Sequence, residues 1–428
     1  MSNQLQLALL RLAIILGSQR LLAVARNLVL GHRSKAATFE RIAQNPQRQL
    51  LVDVSVIASH DAGTGIQRAV RSLLVRLIAA PPDGFEVRPV RATRRRTYEY
   101  ADAYLCSLRG VKPLVADQCI RVTEGDIFLG LDLAGRIIPR RQSDLLKWRG
   151  QGVRLCFVVY DLLPLTSAKW FTTVAQKSFR LWLQTLSVHA DAVFCISRTV
   201  AEETRTWLDD KLGTAAHNLA VRWFHLGADL HTHASPLQMR LPAGLSVSSQ
   251  NSLRQTVMMV GTLEPRKGHT LVLDAFDILW ANGCSATLVI IGKMGWHVEN
   301  LVERLRTHQQ WGKHLIWQSG ATDDELSEMY LSVDGLIVAS EAEGFGLPLI
   351  EAASFGLPIL ARDIPVFREV AEQHATYFAA RSGAELAPEI NEWLARLATR
   401  QAPSSEAMQR LTWSESAEQL KHLLADLA

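Results

Sequence analysis

Short runs of Val, Ile and Leu recur along this 428-residue chain, each separated from the next by a longer stretch with helical spacing. "LLVDVSVIA" (50–58) reads as a buried strand, and "GTGIQRAVRSLLVRLIAA" (63–80) as a glycine turn opening a helix. "DIFLGLDL" (126–133), "VRLCFVVYDLLPL" (153–165), a helix near 171–188 and "DAVFCIS" (191–197) continue the series. Strands that are apolar throughout belong to parallel sheets covered on both faces. Residues 230–252 then turn polar, with two prolines, and predict a linker at 231–251. A second series follows: strands at 256–263, 286–293, 314–320, 335–340 and 357–363, with helices over 268–282, 298–308 and from 347.

Two αβ series predict an α/β chain of two Rossmann-like doubly wound domains, 49–230 and 252–405, facing across a cleft. The length suits two domains. In such sheets ligands bind beyond the carboxyl ends of the strands, where the glycine turns of this chain fall. The five cysteines (106, 119, 156, 195, 284) form no CxxC pair, so neither a zinc site nor a disulfide framework is indicated.

Net charge is +4, and seven Lys/Arg against one acid, Glu40, lie within residues 1–48. The rest of the chain is therefore near neutral, which argues against a nucleic-acid partner. In "LQLALLRLAIILGSQRLLAVARNLVL", Gln4, Arg11, Ser18, Gln19 and Arg26 draw a narrow polar stripe along a broad apolar helix. Arg11 and Arg20 interrupt any spanning run, and no cleavage site marks a signal peptide. The Arg-rich, acid-poor composition is also that of a transit peptide. A helix lying on an anionic membrane fits it best, and its deletion is expected to leave the enzyme folded. The alternative is a helix packed on its own domain or a partner chain.

"EAEGFGLPLIEA" (341–352) places Glu343 and Glu351 on either side of a glycine turn and Pro348. In one continuous helix they would stand about 80° apart and ~12 Å along the axis, a poor pair for one ligand. Proline favours the first helical turn, so the helix starts near Leu347 and leaves Glu343 in the loop. Gly344 and Gly346 then let backbone approach a ligand, and the free amides of the helix start favour an anion. Ordinary acids at a helix start, favoured by its dipole, remain the alternative.

The stretch "EGFGLPLIEAASFGLPIL" resembles the signature of family-4 retaining glycosyltransferases of the GT-B fold, and "VGTLEPRKGHTLVLDAF" (260–276) resembles that family's phosphate-binding turn. "LVIIGKMGW" (288–296) and "TDDELSEMYLSVDGLIVAS" (322–340) fit the pattern between them. In the first half, "DVSVIASHDAGTGIQRAVRSLL", "VVYDLLPL" and "FHLGADL" resemble members that build bacterial surface polysaccharides. The resemblance covers roughly 50–428 and is stronger in the second half. It implies that Glu351 binds the nucleotide ribose, that Glu343 lies near the donor sugar, and that Arg266 and Lys267 bind the diphosphate. The resemblance also places Gly261, Gly344, Phe345, Gly346 and Leu347 along the same donor site.

An Arg fork and a Lys point charge also suit a leaving diphosphate on physical grounds; a solvated loop is the plainer reading. Gly65, in "GTG" between strand and helix, is a further phosphate contact, although the full dinucleotide pattern is missing. Asp161 ends a strand and is assigned an acceptor or catalytic role. Many members of the family have histidine just before this aspartate, where this chain has Tyr160. His231 and His233 read as solvated, and Arg94–Arg96 as a basic loop and a candidate acceptor-diphosphate contact. The C-terminal segment 406–428 is expected to return as a helix to the first domain, as the resemblance implies.

The expected reaction moves a hexose, mannose from GDP-mannose first, to a glycan or lipid-linked glycan acceptor with retention. The acceptor places it on the cytoplasmic face of the membrane. No Asp-x-Asp is present, so no essential metal and no cofactor is expected. A UDP-sugar donor, another GT-B chemistry, and a non-catalytic nucleotide-sugar-binding assembly subunit are the alternatives.

Overall fold

The computed structural model describes residues 3–32, 47–111, 118–229 and 255–427. The linker placed at 231–251, with His231 and His233, lies outside them, as do the basic residues Arg33, Lys35 and Arg41. The chain divides into two units, Met1–Leu226 with Trp413–Ala428, and Gly227–Thr412.

The first unit carries a seven-stranded sheet: β1 (Arg48–Asp53), β2 (Phe85–Arg91), β3 (Glu99–Tyr100), β4 (Ile127–Gly130), β5 (Arg154–Val159), β6 (Ala192–Cys195) and β7 (Ala220–Trp223). Their order is β3-β2-β1-β4-β5-β6-β7. Every pair is parallel except β2 with β3. The helices are α1 (Asn3–Leu16), α2 (Gln19–His32), α3 (Gly65–Ala79), α4 (Asp102–Leu108), α5 (Gln142–Gly150), α6 (Leu163–Thr166), α7 (Thr173–His189) and α8 (Arg198–Leu212).

The first strand is shorter than its apolar run. It ends at Asp53 because carboxylates capture the amides that a longer ladder would need. Asp53 accepts from the Ser55 amide, and Asp132 from those of Val56 and Ile57, all within 2.9 Å. Tyr98 and the Ser55 hydroxyl also donate to Asp53. Burial pushes the Asp53 carboxyl up to about 7 against the lowering bonds from Ser55, with Asp132 adding to the rise.

The N-terminal segment is not a separable tail. Gly17, at a φ of 63°, breaks the expected single helix into α1 and α2. Leu10, Ala13 and Ile14 of α1 and Leu22, Ala25 and Val29 of α2 are buried in one core with Leu51, Phe128 and Phe157 of the sheet. The physical reason is that the apolar arc is wide enough to serve two surfaces. One side packs on α7 and α8. The other leaves Leu5, Leu9, Leu12, Ile15 and Leu16 of α1, and Leu21, Val24 and Leu28 of α2, exposed.

Arg26, read from sequence as part of a polar stripe, is fully buried. Its guanidinium donates to the carbonyls of Ser187 (2.9 Å), Ala190 (3.0 Å) and Asn218 (2.7 Å). It therefore caps the carboxyl end of α7, where carbonyls lack intrahelical donors and the helix dipole favours a cation. Burial and then the charge of Arg149 push it down to about 10, against the opposing pull of Asp191. Arg149 itself forks onto Asp191 at 2.7–3.0 Å.

The second unit holds six parallel strands: β8 (Thr256–Val260), β9 (Thr287–Ile291), β10 (Leu315–Gln318), β11 (Gly335–Val338), β12 (Ile359–Arg362) and β13 (Thr376–Phe378). Their order is β10-β9-β8-β11-β12-β13. The direction of winding reverses between β8 and β11, and a doubly wound sheet takes its ligand at that point. Its helices are α9 (His269–Ala281), α10 (Glu299–Thr307), α11 (Asp323–Ser332), α12 (Leu347–Ser354), α13 (Pro365–Ala371) and α14 (Gly383–Ala398). The last helix, α15 (Trp413–Ala425), packs on α3 in the first unit, with Lys421 donating to the Ala80 carbonyl.

Candidate active site

Beyond β8 the chain must turn sharply into α9, and two glycines make that turn. Gly261 has a φ of 140° and Gly268 one of 74°. A Cβ on Gly268 would fall 2.4 Å from the Ala339 carbonyl oxygen beyond β11, so only a residue without a side chain fits. The two strand-end loops therefore lie against each other. The Glu341 amide donates to the Arg266 carbonyl at 2.8 Å, and the Arg266 guanidinium donates to the Ala342 carbonyl at 3.0 Å.

This apposition joins three of the side chains singled out from sequence. Lys267 Nζ lies 2.5 Å from Glu343 Oε1, and Arg266 Nη1 lies 2.9 Å from Glu343 Oε2. Arg266 Nε lies 2.8 Å from Glu264 Oε2. Glu264 carried no sequence signal of its own; it was one acid in a turn, and only the fold shows it against Arg266. Burial alone would raise the Glu343 carboxyl, but Arg266 and Lys267 outweigh it and hold it down at about 2. For Glu264 burial wins over the same two cations, and its carboxyl is raised. The result is two cations held at the reversal point beside one firmly ionised carboxylate.

Gly344, Phe345 and Gly346 lead from Glu343 into α12, which starts at Leu347 with Pro348 in its first turn. Gly346 takes a φ of 102°, and Phe345 is buried. No side chain caps this helix, so its start offers backbone donors to an anion. Glu351, one turn further, is only 1 % exposed. Its Oε2 accepts from the Tyr330 hydroxyl at 2.9 Å, and the Tyr330 ring stacks on Phe355. Tyr330 was missed in the sequence because it reads as one more apolar position of α11. Glu351→Ala is expected to weaken nucleoside-diphosphate binding by about 1.5–3 kcal/mol, the worth of a hydrogen bond to a charged group. Calorimetric titration checks this; an unchanged affinity would remove Glu351 from the donor site.

The other candidates lie in the first unit. Gly65 is the first residue of α3, behind a capping box in which Thr64 and Gln67 satisfy each other's amides. Asp161 follows β5 and accepts from the Leu163 amide at 3.0 Å. Burial and then the nearby Asp161 charge raise the carboxyl of Glu203 on α8, which sequence reasoning did not single out. Tyr160 points inward: it is buried, and its hydroxyl donates to the Leu131 carbonyl at 2.8 Å. Burial pushes its phenol well above the usual range, so Tyr160 is held as a neutral hydroxyl of the core. Arg94–Arg96 occupy an exposed turn in which the Thr93 hydroxyl accepts from two of their amides.

A pair of doubly wound units, one with a cationic pair at its reversal point, is the architecture of the GT-B fold. Residues 247–410, in the second unit, match the family Glycosyl transferases group 1. It is 41% identical over 375 residues to a serotype-specific mannosyltransferase WbdA of Escherichia coli, covering 87% of this chain and 46% of that protein. A second WbdA of the same species is 41% identical over 373 residues, 87% of this chain and 44% of the relative. The chain thus spans about half the length of these curated relatives. In fold it is similar to HepE of Anabaena, crystallised with UDP and glucose. There the TM-score is 0.60 at 15% identity, over 89% of this chain and 100% of that one. Sucrose-phosphate synthase from Thermosynechococcus elongatus gives 0.60 at 17% identity, over 89% and 99%.

Proposed function

We propose that the chain transfers mannose from a nucleoside-diphosphate mannose, GDP-mannose first, to a glycan or lipid-linked glycan acceptor during surface-polysaccharide assembly, with retention. The Arg266–Lys267–Glu343 cluster carries this reading. A departing diphosphate gains negative charge in the transition state, and two pre-positioned cations at a desolvated site stabilise that charge more than the ground state. The uncapped start of α12 adds backbone donors. Glu351, braced by Tyr330, is assigned to the ribose, and Gly261 with the 344–347 turn to the phosphates. Asp161 is assigned to the acceptor side or to catalysis, and Gly65 to a phosphate. The likeness to WbdA over most of the chain supports mannose. Incubation with GDP-mannose and a mannosyl acceptor, followed by NMR of the product's anomeric proton, tests donor and stereochemistry together. Transfer from UDP-sugars alone, or an inverted product, would overturn the reading.

Metal independence belongs to the same proposal, since Arg266 and Lys267 supply the two charges that a divalent cation would. Turnover is expected to be unchanged in excess EDTA. Inactivation that Mg²⁺ or Mn²⁺ reverses would show the opposite.

The enzyme is further proposed to work on the cytoplasmic face of the membrane, bound peripherally through the outer side of the α1–α2 hairpin. No helix among the described residues is long and apolar enough to cross a membrane. That outer side combines exposed aliphatic residues with exposed Arg11 and Arg20, and neither helix contains an acid. An apolar face with a basic rim matches an anionic lipid surface.

A further inference from the structure

Where α1 lies along α7, the surface opens into a groove of about 400 Å³. Ile15 and Leu181 give it an apolar side, and Lys177 and Arg180 line it as well. Both basic residues are exposed, neither is held by a carboxylate among the described residues, and α7, like the hairpin, has no acid. Val174, in the first turn of the same helix, is exposed as well.

Gln184 completes the lining. It is 3 % exposed, its amide nitrogen is packed against Gly17, and its carbonyl oxygen has no hydrogen-bond partner. A buried acceptor without a donor is costly unless a ligand supplies one. The last side-chain torsion of glutamine is broad, so that oxygen can turn towards a donor in the groove.

We propose that this groove binds the headgroup of phosphatidylglycerol. The lipid phosphate sits between Lys177 and the Arg180 fork, a geometry suited to phosphate oxygens. A glycerol hydroxyl donates to Gln184, and the acyl chains leave along Ile15 and the exposed face of the hairpin. The proposal rests on the membrane-docking reading and sharpens it, from general attraction to an anionic surface to recognition of one hydroxylated phosphate ester.

The test is co-sedimentation of the full chain with phosphatidylcholine vesicles containing equal charge as phosphatidylglycerol or as phosphatidylmethanol, whose headgroup has no hydrogen-bond donor. Binding should be about fivefold tighter on phosphatidylglycerol, the worth of one neutral hydrogen bond. Gln184→Met should erase that preference. The double variant Lys177→Gln/Arg180→Gln, on exposed positions, should lose about tenfold, as for a charge-assisted bond, and more than Arg11→Gln/Arg20→Gln. Equal affinity for the two lipids, or equal losses from the two charge pairs, overturns the headgroup site and leaves the docking face standing. If no vesicle binds, the docking reading falls. The groove is then judged by dihexanoyl phosphatidylglycerol below its micelle concentration. A melting shift that depends on Lys177 and Arg180 upholds the groove, and no shift overturns it.

Discussion

Replacing Arg266 or Lys267 by alanine is expected to lower kcat by about 10²-fold at saturating donor, comparable to losing one transition-state donor. Both side chains are nearly buried, so their charges act where little water screens them. Each also holds Glu343, and the loss has two parts that can be separated. In the single variants Glu343 keeps only one cation, which costs stability. Its low carboxyl means that the ion pairs contribute above the ordinary value of 4.5 and are lost as pH falls towards 2. In the double variant Lys267→Ala/Glu343→Gln that stability term is removed, and kcat should still fall about 10²-fold below that of Glu343→Gln alone. Steady-state kinetics at pH 7, with the folded fraction checked by circular dichroism, decide the matter. Wild-type kcat in both single variants would show that the cations bind only and do not catalyse.

Arg26→Met is expected to destabilise the first unit by about 3–5 kcal/mol, because three buried carbonyls lose their donor at once. Arg26→Lys should recover only part, since an ammonium cannot span three acceptors as a guanidinium does. Folded domains are stable by only about 5–15 kcal/mol, so deleting both N-terminal helices, with their six buried apolar side chains, should abolish folding. This reverses the expectation from sequence that residues 1–46 can be removed without harm. Urea denaturation of the point variants, and the solubility of the deletion, measure it. A deletion that folds and turns over a soluble acceptor would restore the independent tail.

Much of the fold was legible because parallel strands buried on both faces leave an uninterrupted apolar run, and because Pro348 and Gly346 mark the start of α12. The strands that escaped notice do not follow that rule. β2 alternates buried positions with Glu86 and Arg88 and contains Pro89, so it has neither a clean apolar run nor the composition of a central strand. The end of β1 at Asp53 depends on Asp132, 79 residues away, which no local pattern contains. The site divides the same way. Arg266, Lys267, Glu343 and Glu351 lie in motifs with local glycine and proline punctuation. Glu264 and Tyr330 gain their partners only when β8, β11 and their helices come together. The hairpin misled because an apolar arc says that a helix is covered, not by what.

The fit of Gly268 against the Ala339 carbonyl has a consequence for engineering this enzyme. Position 268 admits no chemical variety, since even a methyl group would drive apart the loop bearing Arg266 and Lys267 and the loop bearing Glu343. Gly261, at a φ that side chains rarely adopt, is nearly as restricted. A randomised library across the 261–268 turn would consist mostly of chains that cannot close the site, whatever donor they were meant to accept. Donor preference is better sought by holding both glycines fixed and varying Met294 and Trp296. These stand exposed beyond β9 on either side of Gly295, whose amide already bonds the Leu263 carbonyl of that same turn.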